Sequence, residues 1–478
     1  MRQITNPANP EAIRDRIERQ IAPPRVAALR ALCRDVAEAG GRALLVGGCI
    51  RDAALGYPLR DLDVEVFGVA PHRLRALLGA RCSAEVVGRH FPVLRLHGLA
   101  IDVSVPRRPS GAAAGAPDFA AGADPGATPA EAALRRDFTV DAIGLDPLTG
   151  EVVDPSGGLA DLSARRLRHV SERFDEDPLR VLRAMQLVAR FDLVVAEATR
   201  ERCRALSPRG VPRERIFGEW RRLVLEGVRP SQGLQFLRDA DWLRHFPELL
   251  ALVGCPQDPA WHPEGDVWIH TLHCMDAFAR ARSADTRDDL VVGLAVLCHD
   301  FGKPATTRTE NGRVTSKGHE ALGAELTERF LGRMTDERAL ILEVAVLVAA
   351  HLAPAQLHRS GAGDAAIRRL SRRVGRIDRL VRVAAADHAG RPPLEEPFAA
   401  GAWLLARAGA LEVVSAAPRP LVLGRHLIAE GLSPGPSFGP LLRACYEAQL
   451  AGAFAGEAEG VAYLRRLLAK PATPATPE

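Results

Sequence analysis

Hydrophobic and polar positions alternate most regularly over Asp61–Phe67, where Asp61, Asp63 and Glu65 interleave with Leu62, Val64 and Val66. Successive strand side chains point to opposite faces, so this spacing predicts a strand with one carboxylate face and one apolar face. The apolar run Leu44–Val46 predicts a second strand; Gly47–Gly48, a helix-like segment carrying Arg51, and a turn at Gly56–Pro58 follow it. Upstream, residues 1–40 read as helical, punctuated by Pro23–Pro24, with Val26, Leu29, Leu32 and Val36 on one face. His72–Leu78 predicts a short helix, and Val93–Leu96 and Ala100–Val105 two further strands. A small domain with a mixed sheet and helices results, and beyond residue 160 the apolar period is helical. The class is α+β, with an expected division at 1–160 (mixed α/β), 161–255 (all-α neck and body), 256–395 (all-α, histidine-rich) and 396–478 (helical, with a disordered end at Pro471–Glu478).

Composition changes this picture little. A chain of 478 residues is too long for one core, and 47% hydrophobic with 26% charged residues is ordinary for a soluble globular protein. The net charge of +4 permits a nucleic-acid partner without demanding one. Only Lys303, Lys317 and Lys470 are lysines, an arginine bias typical of GC-rich genomes and therefore poor support for RNA binding. The eight cysteines contain no C-x-x-C pair, as expected for buried thiols in a reducing compartment. Met1–Gln20 is polar and charged, and the longest apolar run, Val344–Ala350, is too short to span a bilayer. A cytoplasmic protein with no membrane partner is expected; nothing in the pattern selects monomer or dimer.

The candidate chemistry begins with the carboxylate face. Carboxylates two apart on a strand can hold Mg²⁺, which bridges a triphosphate and an attacking hydroxyl. Glycines before a helix let backbone N–H groups approach phosphate. Asp102 lies between Ile101 and Val103 and faces away from them, either as a third carboxylate or as a strand residue paired with an arginine. Residues 109–130 are Pro/Gly/Ala-rich and read as a flexible loop. Arg135–Ile143 (RRDFTVDAI) is expected to end in a strand, with Arg136 the candidate nucleotide contact, and Asp154–Gly158 to close the domain with a turn. In Glu176–Arg183 (EDPLRVLR), Pro178 suits a first helical turn, and Asp177, Arg180 and Arg183 share a face. An acceptor beside a donor fork is complementary to the edge shared by cytosine and adenine, an amino group next to a ring acceptor. Uracil or guanine would place a carbonyl against Asp177 and leave unpaired acceptors, at a cost of about 1–3 kcal/mol. The alternative is a capping Asp in a local salt bridge.

The ordered set of Gly47–Gly48, Arg51-Asp52, Asp61-x-Asp63, RRDFTVDA and EDPLRVLR resembles the nucleotidyltransferase core of class II tRNA CCA-adding enzymes and bacterial poly(A) polymerases. The resemblance implies a polymerase-β-like domain in which Asp61 and Asp63 are catalytic and bind Mg²⁺. Gly48, Arg51, Arg136, Asp177, Arg180 and Arg183 would bind nucleotide. It implies tRNA, CTP and ATP as partners, and that Arg213–Trp220 belongs to a neck and body gripping tRNA, where Trp220 or Trp242 is either an RNA stack or buried core. The chain departs from the pattern in having Asp141 where asparagine is usual and a longer 109–130 linker.

A second cluster follows. His270 lies in an apolar-periodic helix, His299-Asp300-Phe301-Gly302-Lys303 closes another, and His319, His351 and Asp387 come later. Imidazoles and carboxylates on helix ends can converge on a divalent metal. The order H…HD…H…H…D, with HD-x-G-K, resembles the HD phosphohydrolase superfamily. By that match His270, His299, Asp300 and Asp387 hold one metal (Ni²⁺, Mn²⁺ or Fe²⁺), His319 and His351 a second, and Lys303 pairs with phosphate. His273 and His388 are expected to be structural. Taken together, residues 24–395 resemble the bifunctional bacterial CCA-adding enzymes, whose HD part hydrolyses phosphate esters or 2′,3′-cyclic phosphates. A poly(A) or partial-adding enzyme, or a phosphohydrolase with an inactive head, are the other readings.

Overall fold

The computed structural model describes residues 9–79, 83–87, 93–107, 119, 122–393 and 396–469. Most of the 109–130 loop and the Pro471–Glu478 tail therefore lie outside the described residues. The chain forms two compact units, Met1–Glu219 with Gln232–His245, and Trp220–Ser231 with Phe246–Glu478.

The first unit opens with α1 (Pro10–Gln20), capped by the Asn9 side chain, which accepts from Glu11 N at 3.0 Å, and α2 (Pro23–Glu38). Pro23, without an N–H to give, begins the second helix where an N–H would be orphaned anyway. β1 (Arg42–Val46), α3 (Gly48–Leu55), β2 (Leu62–Phe67), α4 (Pro71–Gly79), β3 (Ala84–Val87), β4 (Val93–Leu96) and β5 (Ile101–Ser104) follow. The short helix α5 (Pro129–Ala133) precedes β6 (Gly144–Leu145) and β7 (Val152–Val153). These strands form one seven-stranded sheet in the order β3-β4-β5-β2-β1-β6-β7. β2 pairs in parallel with β5 and antiparallel with β1, which sets Asp63 opposite Asp102. Leu62, Val64, Val66, Ile101 and Val103 are fully buried beneath it. β3 was not evident from the sequence. The strand expected at the end of Arg135–Ile143 is instead a 3₁₀ turn, Thr139–Asp141, and pairing with β1 starts at Gly144. Asp154 closes the sheet region as a cap, accepting from Gly158 N at 2.7 Å and Leu159 N at 2.9 Å at the start of α6 (Gly158–Ser163). Then comes α7 (Leu179–Phe191), buried along most of its length.

The second unit is helical apart from a hairpin, Arg308–Glu310 with Arg313–Thr315, that the sequence did not suggest. Its core is built by Val267–Arg280, Thr286–Cys298, His319–Gly332, Arg338–Val348 and Ile377–Ala389. The stretch Arg338–Arg359 has the length and mean hydropathy (1.8) of a membrane span. Its helix breaks after Val348, however, and Leu340, Val344 and Val348 are wholly buried in the helical core. A smaller cluster of Val422, Leu427, Cys445, Phe454 and Leu464 organises the C-terminal helices. Trp220 and Trp242 are fully buried, so neither is a stacking surface.

Candidate active sites

The head site forms at the edge of β2. Asp61 is exposed just before the strand, Asp63 and Glu65 are half-buried on its polar face, and Asp102 lies alongside Asp63 on β5. Asp102 sits on the carboxylate face and is paired with an arginine there: Arg95 grips it with Nε–Oδ1 2.9 Å and Nη2–Oδ2 2.7 Å. Burial pushes the Asp63 carboxyl up to about 6; Asp102 and Asp61 act in the same direction and Arg136 opposes them. Carboxylates that repel one another in a half-buried place are matched to a divalent cation. Gly47 leads into α3 at φ +74°, and a Cβ there would lie 3.2 Å from Arg136 Nη1 and 3.8 Å from Asp63 Oδ2. The glycine backbone, Arg136 and Asp63 are thus neighbours, with Arg136 Nη2 donating to Glu65 Oε2 at 3.1 Å. Gly48 opens the helix beside them.

Arg51 is not held out to solvent. It is buried, donates to Asp52 Oδ1 (2.7 Å) and to Asp141, and stacks 4.5 Å from the centroid of Phe191. Arg183 donates to Asp137, and its Nη2 lies 3.8 Å from Asp141 Oδ2. Asp141, the position where asparagine was expected, thereby links α3 to α7. Asp177 and Arg180 flank the start of α7 with other partners. Asp177 caps Leu179 N (3.1 Å) and receives Arg215 Nη2 (2.7 Å), while Arg180 donates to the carbonyls of Arg173 (2.6 Å) and Arg135 (2.9 Å). Arg215, a residue the sequence did not single out, holds the Asp177 carboxylate from the RERIFGEW segment.

In the second unit six expected residues converge with three others. His299, His319 and His351 each use Nδ1 on the backbone carbonyl three residues earlier, at 2.7, 2.7 and 2.8 Å. His270 Nδ1 is 2.7 Å from Glu264 Oε1. With the Nδ1 protons of His299, His319 and His351 given to carbonyls, the Nε2 of each of these three presents a lone pair inward, an assignment made from these partners. His319 Nε2 and His351 Nε2 then face each other at 3.3 Å, and His270 Nε2 faces Asp387 Oδ1 at 3.1 Å. His299 Nε2 and Asp300 Oδ1 are buried without a hydrogen-bond partner. Lone pairs turned on lone pairs are unfavourable unless cations lie between them, so this donor set fits metal.

The grouping differs from the expected one. Ligand atoms of His270, Cys274, His299 and Asp387 lie within 4.8 Å of one another, as do those of Asp300, His319 and His351. Asp300 therefore joins the second group while its Oδ2 stays 3.2 Å from His299 Nε2, which makes it the bridge between the two. Burial favours the neutral carboxyl, yet His299 and Lys303 hold Asp300 well below the usual carboxylate range. Burial, with His299 beside it, lowers His351 to about 4 and keeps the ring neutral at physiological pH. Lys303 is not free for phosphate, being bound to Asp300 Oδ2 (2.8 Å) and Gln257 Oε1 (2.7 Å). His388 Nε2 lies 2.8 Å from Glu396 O, a structural contact. Glu264, His262 and Cys274 were missed. The available signals were Cys274 one helical turn after His270, and His262-Pro263-Glu264 just ahead of that helix. Gly302 is required by close approach, because a Cβ there would sit 2.1 Å from His319 O and 2.8 Å from Gly323 N.

Residues 43–168 match the poly A polymerase head domain and residues 267–386 the HD domain. Both imply dependence on divalent metal. A multifunctional CCA protein of Halorhodospira halophila is 35% identical over 413 residues, covering 83% of this chain and 94% of the relative. That of Xanthomonas euvesicatoria pv. vesicatoria is 35% identical over 425 residues, 86% and 98% of the two chains. The chain belongs to the multifunctional CCA protein family. Among solved structures, the Bacillus stearothermophilus CCA-adding enzyme in complex with CTP aligns with a TM-score of 0.66 at 22% identity, over 94% of this chain and 98% of that one. The Thermotoga maritima CCA-adding enzyme complexed with tRNA aligns at 0.58 and 18%, over 96% and 98%. The chain thus has the fold of the CCA-adding enzymes, with the head site in one unit and the HD cluster in the other.

Proposed function

We propose that the head adds C, C and A in turn to the 3′ end of tRNA, taking CTP and ATP and releasing pyrophosphate. The observation that carries this is family membership along most of the chain together with the Asp61–Asp63–Asp102 face beside Gly47–Gly48. Bound Mg²⁺ would lower the pKa of the attacking hydroxyl and neutralise the triphosphate. Asp61 and Asp63 hold that charge, Asp102 completes the face, and Arg95 orients Asp102. Gly47 and Gly48 admit the phosphates to the α3 N-terminus, and Arg136 supports them. Asp177 and Arg180, exchanging their present partners for a base, select C and A without a template; Arg183 braces the helix that carries them. Arg51 acts through the Asp52–Asp141 network.

In the HD unit, His270, His299, Asp387, Asp300, His319 and His351 would hold a transition metal such as Ni²⁺, Mn²⁺ or Fe²⁺: imidazole nitrogen suits Ni²⁺ and Fe²⁺, and carboxylate oxygen suits Mn²⁺. Such a metal would activate water and polarise a phosphoryl oxygen. The unit would hydrolyse phosphate esters, or 2′,3′-cyclic phosphates, at RNA ends, while Glu264 fixes the His270 ring. The test is a tRNA transcript lacking CCA, given Mg²⁺ and each NTP, with products resolved to single nucleotides. Addition of C, C, A and then arrest is expected, with none in chelator; a long A ladder or no extension overturns the reading of the head.

A further inference from the structure

The HD cluster opens into a cleft of about 300 Å³, whose lining includes Asp300, Arg359, Arg391, Phe398 and Trp261. Of the five tryptophans, Trp220, Trp242 and Trp268 are fully buried, Trp403 is half-buried against His358, and Trp261 is 65% exposed. An indole left in water forgoes the burial that stabilises the others, so its place on a cleft is informative. The Trp261 backbone is also held in position: its main-chain N–H donates to Asp258 O at 3.0 Å, and the Asp258 side chain caps Ala260 N at 3.0 Å. The cleft's cations divide into two kinds. Lys303 is consumed by Asp300 and Gln257. Arg359 is exposed, with no ion pair among the described residues, and Arg391 Nε is buried without a hydrogen-bond partner. A metal-ligand floor, two arginines with donors to spare and one exposed aromatic plane together match an anionic group joined to a planar ring.

We propose that this cleft receives a single terminal nucleotide of an RNA, its base stacked on Trp261 and its phosphate drawn by Arg359 and Arg391 onto the imidazole–carboxylate cluster. A volume of about 300 Å³ is at the small end for ligand clefts and suits one nucleotide rather than a duplex. Aromatic stacking tolerates any base, as an activity on RNA ends of varied sequence requires. Trp261, Arg359 and Arg391 are thereby assigned to base and phosphate recognition in the hydrolase proposed above, an assignment that rests on that reading.

The test uses full-length protein supplied with Mn²⁺ or Ni²⁺, and two phosphomonoesters, 2′-AMP and the base-free glycerol 2-phosphate. Binding is followed by tryptophan fluorescence and by competition, hydrolysis by phosphate release. Trp261→Ala is expected to weaken 2′-AMP binding about tenfold to a hundredfold while leaving glycerol 2-phosphate within about twofold. Trp261→Phe, which keeps a ring, is expected to stay close to wild type. Nucleotide bound at the head contributes equally to every variant and cancels in the comparison. The platform is overturned if Trp261→Ala leaves 2′-AMP binding unchanged, if it weakens both esters alike, or if wild type binds no 2′-AMP. If binding falls as expected but wild type hydrolyses neither ester, the hydrolase reading falls and the platform stands.

Discussion

The charge-loaded carboxylate face makes a claim about stability as well as catalysis, and Asp63→Asn tests both. In the metal-free protein the Asp63 carboxyl is raised from 3.8 to about 6, first by burial and also by Asp102 and Asp61. A raised carboxyl binds its proton more tightly folded than unfolded. Its contribution to stability is therefore full below the unfolded pKa and lost as pH rises through about 6. At about 1.4 kcal/mol per pKa unit, ionised Asp63 costs the metal-free head about 3 kcal/mol near pH 7.5. Asparagine carries no charge at any of these pH values and escapes that loss. In chelator, Asp63→Asn should thus be more stable than wild type near pH 7.5, with the gain about half as large near pH 5 and absent below about pH 4. Denaturant unfolding at each pH, with and without saturating Mg²⁺, measures this. Mg²⁺ should stabilise wild type and close the gap, since only wild type offers the full carboxylate set, and nucleotidyl transfer by the variant should be abolished. Equal stability of the two proteins in chelator near pH 7.5 would refute the argument that this face is strained until a cation binds.

Gly302→Ala places a methyl group 2.1 Å from His319 O and 2.8 Å from Gly323 N, both backbone atoms that cannot swing aside. It should push the His319 helix from Asp300, cost about 1–3 kcal/mol in stability and abolish metal-dependent phosphate release, with CCA addition by the head retained. Loss of CCA addition as well would show that the damage is global. Asp177→Ala removes the acceptor facing the base amino group. Discrimination of CTP over UTP, read as the ratio of kcat/KM values, should drop about tenfold to a hundredfold, whereas an unchanged ratio would remove Asp177 from base selection.

Much of the local chemistry was legible in the sequence because it is written in short periods. The two-residue alternation of Asp61–Phe67 specifies a strand and the face its carboxylates occupy, and the positive-φ Gly47 marks the entrance to α3. HD-x-G-K carries its own reason, since only glycine fits against the His319 carbonyl. Which residues become partners is another matter, because it depends on pairing between distant segments. The parallel register of β2 with β5 sets Asp102 beside Asp63 and Arg95 on Asp102. Packing of α7 against α3 gives Arg51, expected from the resemblance to bind nucleotide, Asp141 and Phe191 as its partners. Helix ends meeting in the second unit make Asp300 a bridge and recruit Glu264 and Cys274, residues with no motif of their own. Periodicity records which face a side chain takes; only the folded chain, by bringing separate faces within a few ångströms, decides what that face meets.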